Sequence, residues 1–307
     1  MNSFQLFFIR AVTWFLRNFP WPIRRAVLGF PPIEVRAQER CLLVLGTPRR
    51  FLEALWTAYG WMRHFQGELD LVIVVDGKVT AAMEGDFRRC FRGGHLWEAE
   101  DYLADCAVGS SRLNRFVREN FYGRKLGVVL KFNQEHAMLF SDNDVVVWER
   151  PGEIIEAVRQ DETVVYNASV QSPYAPAVRE GFARRGVTLA DDFNSGLMYV
   201  PKGRLDLDLA NSVLEDVPVE DRHHFIEQAV LAGLCSRGPL KPLPMDRYSI
   251  SIRNMWFWQG DIPSYAGLVC RHFVGPVRYW MYRHGYPRLR ERVCRMDQAG
   301  SSSQSPR

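Results

Sequence analysis

Short apolar runs recur through the middle of the chain, and segments with helical spacing separate them. The apolar runs are residues 41–45, 69–75, 137–140, 164–166 and 193–200. The helical segments are residues 51–64, 112–129, 153–159 and 223–234. Continuous apolar runs are typical of strands buried on both faces, and here they alternate with helices. The pattern therefore predicts an α/β fold with a mostly parallel sheet flanked by helices.

The first thirty residues follow a different pattern, in which aromatic residues and arginines share one amphipathic helix. One helical face carries Phe4, Phe8 and Phe15, and the other carries Arg10 and Arg17. The two arginines leave an apolar run well short of the ~20 residues that a membrane-spanning helix needs. Two interpretations stay open: an interfacial helix that lies on a membrane, and a helix packed on the protein's own core.

Prolines and composition divide the chain into three predicted parts. Prolines at positions 20, 22, 31 and 32 predict a break in regular structure, so residues 1–33 are expected to form the amphipathic segment and a linker. A single domain is expected over residues 38–285. Residues 286–307 are expected to form a basic and then disordered tail, with a Ser-rich end from Gln298 onward.

Cysteine spacing and charge narrow the classes of function. The six cysteines have no paired spacing, which indicates free thiols in a reducing compartment. Residues 1–50 and 271–307 each carry eight arginines against two acidic residues, so each end has a charge of +6 and the middle, by difference from +4, has about −8. An acidic middle disfavours a nucleic-acid groove, whereas basic ends suit an anionic membrane or diphosphate groups. We therefore expect a cytoplasmic protein without a nucleic-acid partner, with peripheral attachment to the inner face of a membrane as an option.

Two aspartates, Asp142 and Asp144, follow the apolar run 137–140 directly. Charged side chains at a buried position are usually paired or bind a metal. Two carboxylates one residue apart offer the oxygen ligands that Mg²⁺ or Mn²⁺ accepts. A simple turn is the alternative, because Asp and Asn favour turns. Asp76 also follows an apolar run, and because ligands bind outside the carboxyl ends of strands in α/β sheets, we expect all three aspartates at one rim.

Further motifs lie before and after this aspartate pair. They are residues 122–127 (Tyr-Gly-Arg-Lys-Leu-Gly), 193–197 (Phe-Asn-Ser-Gly-Leu), 226–229 (Ile-Glu-Gln-Ala) and 272–278 (His-Phe-Val-Gly-Pro-Val-Arg). Together with Asp-Asn-Asp, and in this order, they resemble the motifs of GT-A fold glycosyltransferases, in particular the retaining enzymes of glycosyltransferase family 8. The resemblance spans about residues 41–280.

This resemblance implies a Rossmann-like GT-A domain that moves a sugar from a nucleotide-diphosphate donor, UDP-linked in our expectation, to a glycan or lipid-linked acceptor with retention of configuration. It also implies three groups of site residues. The Mn²⁺ (or Mg²⁺) ligands would be Asp142, Asp144 and His272. The residues at the nucleotide and diphosphate would be Asp76, Arg124, Gly275 and Arg278. The residues at the donor sugar would be Asn194 and Gln228.

Three positions depart from the family pattern: Arg278 stands in place of Lys, Glu227 in place of Asp, and Ser141 in place of an apolar residue. Arg keeps the positive charge and adds a bidentate fork for phosphate. Other functions stay open. They are an inverting GT-A enzyme with Asp191, Asp192 or Glu227 as its base, a nucleotidyltransferase, and a non-catalytic membrane-surface module with a glycosyltransferase shell.

Overall fold

A seven-stranded sheet forms the centre of the molecule, and the apolar runs of the sequence supply most of its strands. The computed structural model describes residues 7, 11–12, 14–15, 20–104, 111–120, 122–169, 174–221, 223, 225–250 and 265–302, with the backbone alone at 111, 276 and 296–302. The strands are β1 (Ile33–Glu34), β2 (Arg40–Gly46), β3 (Asp70–Val75), β4 (Phe91–Arg92), β5 (His95–Glu98), β6 (Ala137–Asp142), β7 (Val145–Val147), β8 (Val164–Ala168), β9 (Phe193–Val200), β10 (Leu240–Leu243), β11 (Tyr248–Ser249) and β12 (Cys270–His272). The helices are α1 (Trp21–Leu28), α2 (Phe51–Met62), α3 (Ala81–Cys90), α4 (Ala99–Ala104), α5 (Ser111–Glu119), α6 (Gly123–Glu135), α7 (Gly152–Gln160), α8 (Pro176–Arg184), α9 (Leu207–Leu214), α10 (Ile226–Cys235) and α11 (Tyr286–Ser302).

The central sheet has the strand order β10-β8-β9-β6-β2-β3-β5. Strand β9 runs antiparallel to both β6 and β8, and the other neighbouring strands are parallel. A smaller sheet has the order β11-β12-β7. The predicted α/β fold with a mostly parallel sheet is therefore confirmed.

Two apolar clusters cover the two faces of the central sheet. In β2, Leu42 and Val44 belong to one cluster and Cys41 and Leu43 to the other, because successive side chains of a strand point to opposite faces. Helix α2 packs in the first cluster, with the buried Trp61 at its carboxyl end. Burial on both sides explains why the strands are apolar throughout instead of alternating with polar residues.

Strand register brings polar side chains from distant parts of the sequence to one edge. Leu45 of β2 lies opposite Asp142 of β6, and the backbone N–H of Asp76 donates to the carbonyl of Gly46 at 2.8 Å. In the smaller sheet, His272 of β12 lies opposite Val145 of β7. The carboxyl ends of β2, β3 and β6 therefore meet the end of β12 at one rim.

Helix α1 occupies part of the region that the prolines predict as a linker. Pro22 lies in its first turn, where the missing backbone N–H costs nothing. The indole Nε1 of Trp56 donates to the carbonyl of Ile23 at 3.3 Å, and the Arg24 guanidinium binds the Asp86 carboxylate through two hydrogen bonds of 2.7 and 2.8 Å. Residues 21–28 of the predicted segment and linker therefore form a helix that packs on the domain.

The amphipathic segment before α1 is described at residues 7, 11–12 and 14–15, all of them helical. The side chain of Val12 packs against the core. Phe7, Trp14 and Phe15 are 69%, 62% and 55% exposed. The remaining residues of this prediction lie outside the described residues. Among the described helices, none combines the length and the apolar character needed to cross a bilayer.

The predicted tail begins with a helix that belongs to the domain. A five-residue π-helix, Met281–Gly285, leads into α11. Tyr286, Leu289 and Val293 of α11 are buried in the first apolar cluster. The backbone of this helix continues to Ser302, and residues 303–307 lie outside the described part, so disorder of the tail stays a prediction.

Candidate active site

A cavity of about 630 Å³ opens at the rim where the strands end. Every site residue predicted from the sequence lines it, although these residues come from distant parts of the chain. They are Asp76, Arg124, Asp142, Asp144, Asn194, Gln228, His272, Gly275 and Arg278. Co-localisation in one cavity leaves the role of each residue as a prediction.

The side chains of Asp142, Asp144 and His272 form the candidate metal centre, with one ligand atom of each within 4.8 Å of the others. The Nε2 atom of His272 lies 3.0 Å from Oδ1 of Asp144 and 3.8 Å from Oδ2 of Asp142. Two ligands of one Mn²⁺ or Mg²⁺ ion, each about 2.1 Å from it, lie at most about 4.2 Å apart. Both distances from the imidazole fall within that limit, so His272 could share a divalent cation with either aspartate.

Asp144 is the most deeply buried carboxylate of this centre, at 3% exposure. Burial alone would raise its pKa, but the positive charge of Arg278 and the hydrogen bond from His272 outweigh burial and hold the pKa well below its usual range. The guanidinium Nε of Arg278 donates to Oδ2 of Asp144 at 3.0 Å. Asp144 is therefore ionised at neutral pH and is available as a metal ligand.

Asn194 contacts the metal centre through the histidine. Its side-chain Oδ1 lies 3.1 Å from Nδ1 of His272. An Nδ1–H at this position donates to the Asn194 oxygen, so that Nε2, which donates to Asp144 in the absence of an ion, would offer its lone pair to a bound metal. The Nδ2 of Asn194 donates in turn to Oε1 of Gln228 at 2.9 Å. Two hydrogen bonds therefore link Gln228, Asn194 and the imidazole of His272.

Lys125 lines the cavity and contacts Asp142, although it is not among the site residues predicted from the sequence. Its Nζ lies 2.9 Å from Oδ1 of Asp142 and 3.4 Å from Oε1 of Glu227, which is itself buried. Burial would lower the pKa of Lys125, but the two acids outweigh it and raise that pKa. Arg124, the predicted cation of this motif, points to the rim and pairs with Asp76 at 2.6 Å. The rotation of α6 against the sheet decides whether Arg124 or Lys125 faces the metal centre.

Gly196 lies so close to His272 and Asp142 that its position has no room for a side chain. A Cβ atom at this position would lie 2.0 Å from Cε1 of His272 and 2.9 Å from Oδ2 of Asp142. Any side chain would therefore push into the metal centre. Gly275, which also lines the cavity, has φ of +51°, a conformation that favours glycine.

No protein-family model matches the sequence, and no curated protein matches it. The structure is similar to the apo structure of the bifunctional glycosyltransferase WbbM, with a TM-score of 0.50 and 13% identity over 86% of this chain and 53% of that chain. It is also similar to the galactosyltransferase LgtC, solved with donor and acceptor sugar analogues, with a TM-score of 0.45 and 15% identity over 82% of this chain and 95% of that chain. Mouse xyloside xylosyltransferase 1 in its apo form has a TM-score of 0.44 and 12% identity over 78% of this chain and 98% of that chain.

This chain spans about half the length of WbbM, at 53%. An identity of 13% to that structure carries information on the fold alone. Membership of glycosyltransferase family 8 stays a prediction. The chain has the GT-A fold of the glycosyltransferases, as the order of its motifs predicts.

Proposed function

We propose that this protein is a metal-dependent glycosyltransferase that moves a sugar from a nucleotide-diphosphate donor, UDP-linked, to a glycan or lipid-linked acceptor. The observation that carries the proposal is the cluster of Asp142, Asp144 and His272 in the wall of a cavity that also presents cations. An oxygen-rich divalent site beside fixed positive charge matches the chemistry of a metal-bound diphosphate.

Mn²⁺ or Mg²⁺ held by these three residues would act as a Lewis acid that neutralises the leaving diphosphate, and the imidazole ligand favours Mn²⁺. Arg278 would add a bidentate positive charge at the phosphates from its position beside Asp144. Gly275 would leave the backbone open to close approach by the diphosphate. At the rim, the pair of Asp76 and Arg124 would hold the nucleotide end of the donor.

The positions of the acidic residues support retention of configuration. An inverting enzyme needs a carboxylate base at the acceptor side, and Asp191, Asp192 and Glu227 are the candidates from the sequence. Asp191 pairs with Arg179 at 3.1 Å, Asp192 accepts a hydrogen bond from Tyr166, and neither lines the cavity. Glu227 lines the cavity, but Lys125 neutralises it.

Glu227 also supports the alternative of an inverting reaction. Burial raises its pKa above the usual range, more than the nearby Lys125 lowers it. A carboxylate with a raised pKa is a stronger general base. The anomeric configuration of the product, read by NMR, separates the two outcomes: an inverted product would make Glu227 the base and would refute the retaining assignment.

Binding of the donor tests the proposal most directly. We expect Mn²⁺ to raise the melting temperature and to strengthen UDP binding, both measured on the full chain by thermal shift and calorimetry. Asp144→Asn should abolish the effect of Mn²⁺, whereas the exposed Asp246→Asn should retain it. A protein that binds neither Mn²⁺ nor UDP would favour the non-catalytic module. If the protein binds Mn²⁺, slow hydrolysis measured over a panel of UDP- and GDP-sugars would identify the donor.

We also propose that the protein docks on an anionic membrane, in a reducing, cytoplasmic location. The exposed Trp14, Phe15 and Trp21 support this proposal, because aromatic side chains with arginines nearby are typical of interfacial helices. The described cysteines Cys41, Cys90, Cys235, Cys270 and Cys294 are all free thiols. Vesicles of phosphatidylglycerol should sediment the wild type but not the combined Trp14→Ala, Phe15→Ala and Trp21→Ala variant. Equal sedimentation would refute docking through this surface.

A further inference from the structure

Two neighbouring cavities, of about 210 Å³ and 390 Å³, lie beside α1 and share Ile23 and Tyr282 in their walls. The first lies between α1, α2 and α3, and the second lies between α1, α2 and α11. We call these two cavities together the α1 groove.

The walls of the α1 groove combine apolar side chains with cations. The apolar walls include Leu52, Met83, Ala26, Trp56 and Pro287. Arg49 lines the first cavity and Arg290 lines the second, both exposed and neither in an ion pair with an acid of the described residues.

Each of the three acids that line the groove has a partner. Asp86 is bound by Arg24 and Glu291 forms an ion pair with Arg295. The buried Glu53 accepts a hydrogen bond from Tyr282 and lies 4.0 Å from the guanidinium of Arg50. The groove therefore suits a molecule with a hydrocarbon chain and a negative headgroup.

The groove reaches the wall of the candidate active site. The 3₁₀ turn Pro48–Arg50 separates the two: Pro48 and Arg49 line the groove, and Arg50 lines the cavity that contains the metal centre. Arg49 is adjacent in the chain to Arg50, which lines the cavity of the candidate active site. Trp21 at the start of α1 is 65% exposed, and Trp14 and Phe15 of the preceding segment are 62% and 55% exposed. These aromatic residues could rest on a membrane from which a lipid enters the groove.

We propose that the α1 groove binds the hydrocarbon chain of a lipid with a phosphate headgroup, and that this lipid is the class of acceptor used by the enzyme. The second half of this proposal rests on the proposed glycosyltransferase function, whereas the first half does not. Arg49 attracts the phosphate, and the side chains of Ile23, Trp56 and Tyr286 cover the chain.

Cys294 provides a direct reporter of occupancy, because it is exposed and lines the groove. We expect dodecyl phosphate, used below its micelle concentration, to slow the alkylation of Cys294 by iodoacetamide at least tenfold, measured on the Cys294 peptide by mass spectrometry. Inorganic phosphate should leave the rate unchanged. Apparent affinity should rise about fourfold for each methylene added between hexyl and decyl phosphate, since each buried methylene contributes about 0.8 kcal/mol.

Variants test whether the protection arises in this groove. Ala26→Trp should fill it and weaken protection at least tenfold, provided its thermal unfolding matches the wild type. Arg49→Gln and Arg290→Gln should each weaken it about fivefold, since one arginine at an anionic group contributes about 1 kcal/mol. Arg88→Gln, whose side chain is 80% exposed on α3, is the matched control. An unchanged alkylation rate with dodecyl phosphate, or full protection in a folded Ala26→Trp, would overturn the proposal.

The experiment uses the full chain without donor or metal, so its result is independent of the proposed function. Protection of Cys294 in a protein that binds no UDP would refute the glycosyltransferase assignment and keep the lipid site. UDP binding without protection of Cys294 would refute the lipid site and keep the glycosyltransferase assignment.

Discussion

Arg278→Met tests whether the guanidinium balances the buried charge of the candidate metal centre. Asp144 is 3% exposed, and the Arg278 side chain beside it is 17% exposed. Removing one partner of a buried ion pair costs about 3–5 kcal/mol, because the other charge stays buried. His272 remains within 3.0 Å of Asp144 and offsets part of this cost. We therefore expect a loss of about 2–3 kcal/mol in the free energy of unfolding.

Thermal unfolding in a buffer with chelator measures this loss. With an unfolding entropy of about 2.1 cal/mol/K per residue, a chain of this size should melt about 3–5 °C lower. Mn²⁺ should stabilise Arg278→Met at least as much as the wild type, since the ion supplies the missing positive charge. Arg88→Met, which removes an exposed ion pair, should shift the melting temperature by less than about 1 °C. An unchanged melting temperature for Arg278→Met would refute the view that Asp144 depends on this guanidinium.

Three further predictions concern the metal centre and the pH dependence of stability. Gly196→Ala should weaken Mn²⁺ binding in calorimetry at least tenfold because its Cβ would lie 2.0 Å from the imidazole, whereas Gly152→Ala, with open space, should not. Asn194→Ala should weaken Mn²⁺ binding about 10- to 100-fold, and unchanged affinity would show that Asn194 does not orient the imidazole. Burial lowers the pKa of His64 to about 3. Below pH 6.5 the unfolded chain therefore binds a proton at His64 that the folded chain does not. The free energy of unfolding, measured with urea, should fall by about 2–3 kcal/mol from pH 7 to pH 4. The variant His64→Gln should lose most of this pH dependence.

Much of the fold follows from patterns that are local in the sequence. The strands β2, β3, β6, β8 and β9 contain the apolar runs, and the helices lie close to the segments with helical spacing. At both ends of the domain, tertiary contacts decide what local signals do not. Pro22 begins a helix because α1 packs on α2, and α11 extends beyond the predicted domain because its buried side chains join the core.

The candidate site likewise contains residues that the sequence identifies and a residue that only the structure identifies. Asp142 and Asp144 are identifiable from the sequence, since charge at the end of a buried strand is rare without a reason. The order of the motifs then selects His272, Asn194, Gln228 and Arg278 by resemblance. No local pattern distinguishes Lys125 from Arg124, because both follow Gly123 at the start of one helix.

The sequence by itself determined the α/β class, the positions of the strands and the pair of carboxylates, because hydrophobic periodicity and the cost of burying charge act over a few residues. Only the tertiary structure decided that His272 meets Asp144, that Lys125 faces Asp142, and that Arg124 turns to Asp76 at the rim. Those contacts depend on strand register and on the rotation of a helix against a sheet. Both are set by packing between segments far apart in the chain.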